Sequence, residues 1–213
     1  MTCPFVHTPE TVVFAVDLDS EMASEAVPGC SRFDAVVHAV AAFVSAKKRL
    51  DCRHSFGLMT LLDSAVFLPD SVTSSPDELL AALRSLAPAG SFPVFDMASL
   101  LSAAEGARAE AARRGGALRV LMIYGRSHCV PARPAAAAAA AAAATARGGL
   151  ALDCIYVHDK PSPGVNRAQD VYSALEEAVD DISAPAGHPA YVSETGGGNV
   201  KKLLTLMVGA RIA

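Results

Sequence analysis

Short apolar runs alternate with amphipathic segments along most of the chain. These runs are rich in β-branched or aromatic residues, and their length and composition predict buried strands. They cover residues 11–16, 56–62, 118–124, 152–157 and 190–194. A further run at 65–68 follows Asp63 and Ser64, whose turn chemistry predicts an antiparallel partner for the preceding strand.

Apolar side chains recur at helical spacing between the runs. The spacing of Phe33, Val36 and Val40 predicts a helix, and the cations at 47–49 complement the dipole at its end. Ser75 followed by Pro76 is typical of a helix start, because serine caps free amides and proline fits the first turn. Further helices are predicted over about 94–114, 171–182 and 199–207.

This alternation of strands and helices predicts one α/β domain over residues 1–213. We expect a doubly wound, mostly parallel sheet with helices on both faces and one antiparallel edge strand. A low-complexity alanine insertion at about 134–147 interrupts the pattern. Alanine runs favour helix but carry little information about function.

Composition narrows the class of protein. Hydrophobic residues make up 52% of the 213 residues and charged residues 19%, which excludes disorder as the main state. The 18 basic and 22 acidic side chains give a formal net charge of −4, which argues against charge-driven nucleic-acid binding. The five cysteines are scattered without a CxxC motif, as is typical of reduced thiols. We therefore expect an intracellular protein with neither signal peptide nor membrane span.

Acidic side chains follow the first predicted strand at alternate positions. Asp17, Asp19 and Glu21 are oxygen donors of the kind that hard divalent cations prefer. Ligands of open α/β sheets bind beyond the carboxyl ends of the strands, which is where these residues fall. A solvated acidic loop explains the same pattern without a metal.

An apolar strand that ends in this acidic motif and precedes a long helix resembles the von Willebrand factor A fold. Metal-binding members of that fold carry Asp-x-Ser-x-Ser in the first loop, a threonine in the second and Asp-Gly in the third. Here Asp19 and Glu21 replace the serines, the second loop has Asp96 but no threonine, and Tyr124 replaces the third aspartate. The resemblance therefore implies a degenerate site at Asp17, Asp19, Glu21, Asp96 and Tyr124, and we expect no bound metal.

A narrower resemblance rests on several segments in order, at residues 8–18, 91–101, 124–131, 154–159 and 200–204. Together they resemble the von Willebrand factor A-like scaffold subunit shared by the BRISC and BRCA-A deubiquitinase complexes, the MERIT-type family. The resemblance implies a non-catalytic scaffold that assembles and stabilises a deubiquitinase complex specific for non-degradative, signalling ubiquitin chains.

The same resemblance implies a role in DNA repair, the DNA-damage response and ubiquitin signalling, in the nucleus and cytoplasm. The implied partners are a scaffold subunit with UEV folds and, through it, a zinc-dependent deubiquitinase with its inactive partner. No cofactor, nucleic acid or membrane is expected to bind directly.

Two groups of residues are candidates for partner binding. The first group, on the strand-end face, is either filled by its own side chains or used for docking; it comprises Phe92, Phe95, Tyr124 and Arg126. The second group is the apolar stripe of the last helix, for which core packing is the default; it comprises Leu203, Leu204 and Met207.

Two alternatives stay open at this point. The first is a metal-dependent ligand-binding domain that uses Asp17, Asp19 and Asp96. The second is a nucleotide-binding enzyme that uses the glycines at 196–198, although a strand-to-helix turn explains them more simply. No HExxH motif, nucleophile elbow or paired Cys and His spacing is present, so we expect no catalytic residue.

Overall fold

The computed structural model describes residues 9–88, 90–133, 150–183, 190–196 and 199–209. Within these residues the strands are β1 (Glu10–Asp17), β2 (Glu25–Val27), β3 (Cys30–Ser31), β4 (Ser55–Leu61), β5 (Ala65–Thr73), β6 (Ala117–Tyr124), β7 (Leu150–His158) and β8 (Val192–Gly196). The helices are α1 (Arg32–Leu50), α2 (Pro76–Arg84), α3 (Met97–Arg113), α4 (Ala168–Ser183) and α5 (Val200–Gly209). A short 3₁₀ helix, Ser20–Ala23, follows β1. None of the described helices has the length and apolarity needed to cross a bilayer.

Six strands form one sheet in the order β5-β4-β1-β6-β7-β8. The strands are parallel except β5, which pairs antiparallel with β4 at one edge. The predicted mostly parallel sheet with one antiparallel edge strand is therefore confirmed. The remaining strands, β2 and β3, form a small separate hairpin.

Helices cover both faces of the sheet, which explains why its central strands are apolar throughout. Every residue of β4 is buried, and so is every residue of β1 after Glu10. Apolar side chains of α1, α2 and α5 pack in the core on one face, and those of α3 and α4 pack in the core on the other. Continuous burial of this kind is typical of parallel sheets in doubly wound folds.

Local side-chain chemistry sets the helix boundaries. Ser31 caps α1 in a reciprocal capping box with Asp34, and Ser75 caps α2. The predicted start of α3 at residue 94 is wrong, because the Asp96 side chain accepts the Ala98 amide and the helix begins at Met97. The segment before Asp96 is irregular and contributes to the site described below.

Several strand boundaries also differ from the predicted ones. β5 continues to Thr73, through Pro69, which an edge strand tolerates because its outer amides need no partner in the sheet. β8 starts at Val192, later than predicted. The hairpin of β2 and β3 was not predicted, since its strands are short and half-exposed. The alanine insertion lies outside the described residues.

Candidate functional site

The carboxyl ends of the central strands bring the predicted site residues to one edge of the sheet. Asp17 pairs in register with Leu61, and the preceding Val16 pairs with Ile123. β1 therefore ends between the ends of β4 and β6. Asp17 projects from this position, fully buried, toward the loops that follow the neighbouring strands.

Arg126 forms a buried ion pair with Asp17. Its Nε lies 3.1 Å from both carboxylate oxygens of Asp17, and its Nη2 lies 3.0 Å from Oδ1. Arg126 is 1% exposed, and Asp17 is wholly buried. The carboxylate also accepts the amides of Gly125 and Asp19, at 2.9 and 3.1 Å.

The rest of the Arg126 guanidinium donates to backbone carbonyls of two other loops. Nη2 donates to the oxygens of Leu61 and Leu62, at 3.3 and 2.6 Å, and Nη1 donates to those of Phe92 and Val94, at 3.1 and 3.0 Å. Since a guanidinium has five N–H donors, these contacts together with Asp17 use its whole hydrogen-bonding capacity. One side chain thereby joins the ends of β1 and β4 to the segment before α3.

Aromatic rings surround this cation. The Arg126 Cζ lies 5.4 Å from the ring centroids of Phe92, Phe95 and Tyr124. The negative faces of such rings attract a cation, and the rings also exclude water from the ion pair. Phe95 and Tyr124 are fully buried, and the Tyr124 hydroxyl donates to the Cys129 carbonyl at 2.8 Å.

Burial dominates the electrostatics of the pair. Loss of water raises the pKa of Asp17 above the usual aspartate range, because it outweighs the attraction of Arg126 and the two amide hydrogen bonds. For Arg126, burial lowers the pKa, but the charge and hydrogen bonds of Asp17 together with smaller contributions from Tyr124 and Cys129 outweigh it, so the pKa is raised. Two ions removed from water in this way stabilise a fold only weakly, but neither tolerates the loss of the other.

The other acidic residues of the loop are engaged by amides. Asp19 accepts the amide of Glu21 at 2.9 Å and that of Phe92 at 2.8 Å. Glu21 accepts the amide of Ser127 with both carboxylate oxygens, at 3.0 and 2.8 Å. These side chains tie the 3₁₀ helix to the loops on either side of it.

Gly125 is required by the closeness of this packing. A Cβ at that position would lie 2.1 Å from the Met22 Sδ and 2.7 Å from its Cγ. Met22 belongs to the 3₁₀ helix and is itself fully buried. A glycine between Tyr124 and Arg126 therefore allows the loop to approach β1 closely enough for the ion pair to form.

These residues do not fit a divalent cation. The guanidinium already lies against both oxygens of Asp17, and its positive charge would repel a metal ion. Asp19 is committed to backbone amides, and Asp96 lies at the start of α3, where it accepts the Ala98 amide at 2.9 Å. Among the described residues no three His, Cys, Asp or Glu side chains are grouped as metal ligands.

The structure places the predicted partner-binding residues mainly in the interior. Phe95, Tyr124 and Arg126 fill the strand-end face themselves, which is the first of the two expected arrangements. Phe92 is half-buried beside them, and Val94 is 59% exposed. Phe92 also lines a cleft of about 390 Å³ at this edge. Their role in partner binding stays a prediction.

The last helix shows a similar division. Leu203 and Met207 are buried in the same hydrophobic core as the apolar side chains of α1, and Leu204 is half-buried against this core. The helix begins after Asn199, whose side chain accepts the Lys202 amide at 2.9 Å and so serves as a cap.

The glycines before this helix are explained in part by packing. A Cβ on Gly196 would lie 2.9 Å from Cε1 of the buried His158 ring. This contact and the Asn199 cap favour the strand-to-helix turn over a phosphate-binding loop. Residues 197 and 198 lie outside the described part of the chain.

Solved structures with a similar fold include von Willebrand factor A domains. The VWA domain of SpRpn10 is 16% identical, covers 97% of each chain and has a TM-score of 0.61. The N-terminal domain of TFIIH p34 is 15% identical, with 95% of this chain and 98% of that chain covered and a TM-score of 0.60. The von Willebrand factor type A protein from Catenulispora acidiphila is 14% identical, with 94% of this chain and 42% of that chain covered and a TM-score of 0.59.

No family model matches the chain, and no curated protein matches it in sequence. The matched structures have low sequence identity to this chain but cover nearly all of it, and such a similarity shows the fold alone. The chain thus has an α/β von Willebrand factor A fold, as the resemblance of its first strand, acidic loop and following helix implied. In this chain the strand-end loops are joined by Arg126.

Sequence reasoning missed the structural role of Arg126. Arg126 is a candidate for partner binding on a face that is expected either to be filled by its own side chains or to be used for docking, and its ion pair with Asp17 was not predicted. The available signal was Asp17 itself. A carboxylate at the end of a fully apolar strand needs a partner, and Arg126 follows β6, which pairs with β1.

Proposed function

We propose that this protein is a non-catalytic scaffold subunit of a deubiquitinase complex of the BRISC or BRCA-A type. The observation that carries the non-catalytic, metal-independent part is the saturated Arg126 guanidinium between the strand-end loops. A cation that belongs to the chain and donates all its hydrogen bonds internally offers no open coordination position to a ligand or substrate.

The fold and the sequence resemblance support different parts of this proposal. A von Willebrand factor A fold supports a role as an interaction domain in general. The particular complex, its UEV-fold scaffold subunit and its zinc-dependent deubiquitinase come from the resemblance of the segments around Asp17, Phe92, Tyr124 and His158. The nuclear and cytoplasmic location, the role in DNA-damage signalling and the specificity for signalling ubiquitin chains belong to the same proposal.

The direct test is capture of the tagged full chain from the cells that produce it, followed by identification of the bound proteins. We expect a UEV-fold subunit, a zinc-dependent deubiquitinase and its inactive partner in stoichiometric amounts. The captured material should cleave signalling ubiquitin chains, with activity that a zinc chelator abolishes. Recovery of the chain alone, or with unrelated proteins only, contradicts the proposal.

A pair of variants on α5 tests whether this helix contributes to assembly. Leu204 is half-buried and Lys201 is exposed on the same helix. We expect Leu204→Glu to reduce recovery of the UEV-fold subunit and Lys201→Glu to leave it unchanged. Both proteins are first compared by thermal melting, so that a loss of folding is not mistaken for a loss of binding. Equal recovery with both variants contradicts a role for the helix.

A metal titration separates this proposal from a metal-dependent ligand-binding domain. Because Arg126 already satisfies Asp17, we expect the melting temperature to be unchanged by magnesium or calcium. A ligand that binds only the folded state raises the melting temperature in proportion to its occupancy. A rise that disappears in Asp17→Ala therefore favours the metal-dependent alternative.

A further inference from the structure

A groove lies between the first half of α1 and the segment that follows α2. Its volume is about 380 Å³, which falls within the range of ligand sites in proteins. Phe33 and Val37 of α1 lie on its floor and are 7% and 6% exposed, and the half-buried Leu86 faces them from the other side. The floor is therefore apolar, and only a small part of each of these side chains is exposed to solvent.

The two walls of the groove carry opposite charges. Arg84, the last residue of α2, is exposed on one wall. Its guanidinium makes no hydrogen bond or ion pair within the described part of the chain. Asp34 lies on the other wall, where its carboxylate accepts the Ser31 hydroxyl and amide, at 2.6 and 3.0 Å. These hydrogen bonds lower the pKa of Asp34, so the wall is negative at neutral pH. His38 follows one turn later on the same wall.

We propose that this groove binds a short peptide segment of a partner protein that presents one apolar side chain next to a carboxylate. The apolar side chain would pack on Phe33, Val37 and Leu86, and the carboxylate would pair with Arg84. Arg84 is suited to this role because a guanidinium without an internal partner is free to form a two-pronged contact with a carboxylate. Asp34 would fix the direction of the peptide by attracting its amides and repelling its acidic end.

The geometry favours a peptide over an enclosed small molecule. The rim residues Asp34, His38, Arg84 and Ala87 are all exposed, so the groove stays open along its length. Small ligands are usually bound in sites that bury most of their surface. An extended segment needs only one face buried, and its remaining polar groups can stay in water.

The groove is separate from the Arg126 ion pair, so the two proposals can fail independently. Its lining comes from α1, from residues 84–88 and from the flank of the 3₁₀ helix at Ala23. None of these side chains contacts Asp17 or Arg126 among the interactions described above. A result at the groove therefore says nothing about the deubiquitinase complex.

The test is selection from a phage-displayed library of random dodecapeptides on the immobilised full chain. We expect the selected peptides to carry Asp or Glu beside Leu, Ile, Val or Phe. One selected sequence, made as a fluorescein-labelled peptide, is then titrated with protein and followed by fluorescence anisotropy. Its affinity should fall at least tenfold in Arg84→Glu, because attraction at the carboxylate becomes repulsion.

Two further variants make the result specific to the groove. Arg49→Glu makes the same change of charge at an exposed position near the far end of α1 and should leave the affinity unchanged. Ala87→Trp adds bulk at the exposed rim and should block the peptide without disturbing the core. Melting temperatures of all variants show whether each is folded.

Three outcomes overturn the proposal. The first is that no peptide is enriched over the uncoated surface. The second is that the selected peptides are basic, or lack an acidic residue. The third is that a selected acidic peptide binds Arg84→Glu and Ala87→Trp as tightly as the unmodified chain, since its site then lies elsewhere.

Discussion

Charged side chains are buried at both ends of the parallel strands, and the two ends satisfy them differently. At the carboxyl ends a single pair, Asp17 and Arg126, is closed by backbone amides and carbonyls. At the amino ends four side chains form a linear network with alternating sign, which we call the amino-edge network. Its contacts are Lys47 to Glu10 at 2.8 Å, Glu10 to Arg119 at 3.0 Å and Arg119 to Asp153 at 2.9 Å.

The difference lies in redundancy. Glu10 has two cationic partners, and Arg119 has two acidic partners, so loss of an outer member, Lys47 or Asp153, leaves the adjacent inner member still paired. Asp17 has one cationic partner, and that partner also holds four carbonyls of two loops. We infer that the amino-edge network tolerates the loss of an outer member, whereas the carboxyl-edge pair does not tolerate the loss of either member.

Titration also differs between the two ends. Burial raises the pKa of Asp17. At Glu10, burial acts in the same direction, but the hydrogen bond and charge of Lys47 and the charge of Arg119 outweigh it, and the pKa is lowered. Two cations therefore lower the pKa of Glu10, whereas one cation and two amides do not lower that of Asp17. Part of the difference arises because Glu10 keeps some contact with water.

The largest effect is expected from Arg126→Met. This change leaves the Asp17 carboxylate buried without its cation and removes the donors of four carbonyls. We expect a loss of about 3–5 kcal/mol in the free energy of unfolding, as is typical when one member of a buried pair is removed. Urea denaturation followed by circular dichroism measures it.

Lysine at the same position refines this prediction. Arg126→Lys keeps the charge but reduces five N–H donors to three in a different geometry. We expect its stability to lie between those of the unmodified protein and Arg126→Met. As a control, Arg167→Ala removes an exposed pair with Asp170 and should leave the urea midpoint unchanged. A loss in Arg126→Met as small as that in the control would show that the pair has no structural importance.

A smaller effect is expected from Lys47→Met in the amino-edge network. Glu10 keeps Arg119 as a partner, and methionine replaces much of the buried lysine stem. We expect a loss of about 1.5–3 kcal/mol, close to that of one charge-assisted hydrogen bond. The same denaturation experiment checks it. If Lys47→Met costs as much as Arg126→Met, the proposed redundancy is wrong.

The smallest effect concerns pH and involves His54, which lies beside the amino-edge network. Its Nδ1 accepts the Glu10 amide at 3.0 Å, and burial together with the charge of Lys47 lowers its pKa from 6.5. As the pH falls through that value, the unfolded chain binds a proton that the folded His54 does not, so stability decreases. We expect His54→Asn, whose amide oxygen can accept the same hydrogen bond, to reduce this decrease.

The measurement compares urea midpoints at about pH 7 and about pH 5, a window that brackets the usual histidine pKa. The pH slope of each protein is the change in its urea midpoint between these two pH values. The other histidines are present in both proteins, so the difference between the two pH slopes reports the contribution of His54. Glu10 contributes at lower pH, because its lowered pKa makes its stabilisation disappear only as the pH falls below the usual glutamate range. Identical slopes for both proteins would show that His54 does not titrate differently on folding.

The elements of the fold were largely predictable, because long apolar patterns decide them. The helical spacing of Phe33 and Val40 predicts a helix whatever they pack against. Ser75 and Pro76 predict the start of a helix because the cap is a local hydrogen bond. The boundaries that failed depend on contacts between distant residues. The segment before Asp96 stays irregular because Arg126 binds the carbonyls of Phe92 and Val94.

The position of the candidate site was predictable from the sequence, but the contacts made by its side chains were predictable only in part. The alternation at Asp17 and Asp19 located the strand-end loops correctly, because the ends of parallel strands share an edge. The function of each side chain was harder to infer, since it depends on what lies opposite in space. Tyr124 and Phe95 are candidates for partner binding in the sequence, but both are buried and surround the Arg126 guanidinium.

The covalent attachment of Arg126 has a consequence of its own. A metal that joins loops can be lost to dilution or to a chelator, and its occupancy follows the free ion concentration of each compartment. The guanidinium of Arg126 is tethered to the loop next to Asp17, so its local concentration does not depend on its surroundings. The strand-end loops are thus held together identically wherever the protein is carried, and release requires local unfolding of the edge.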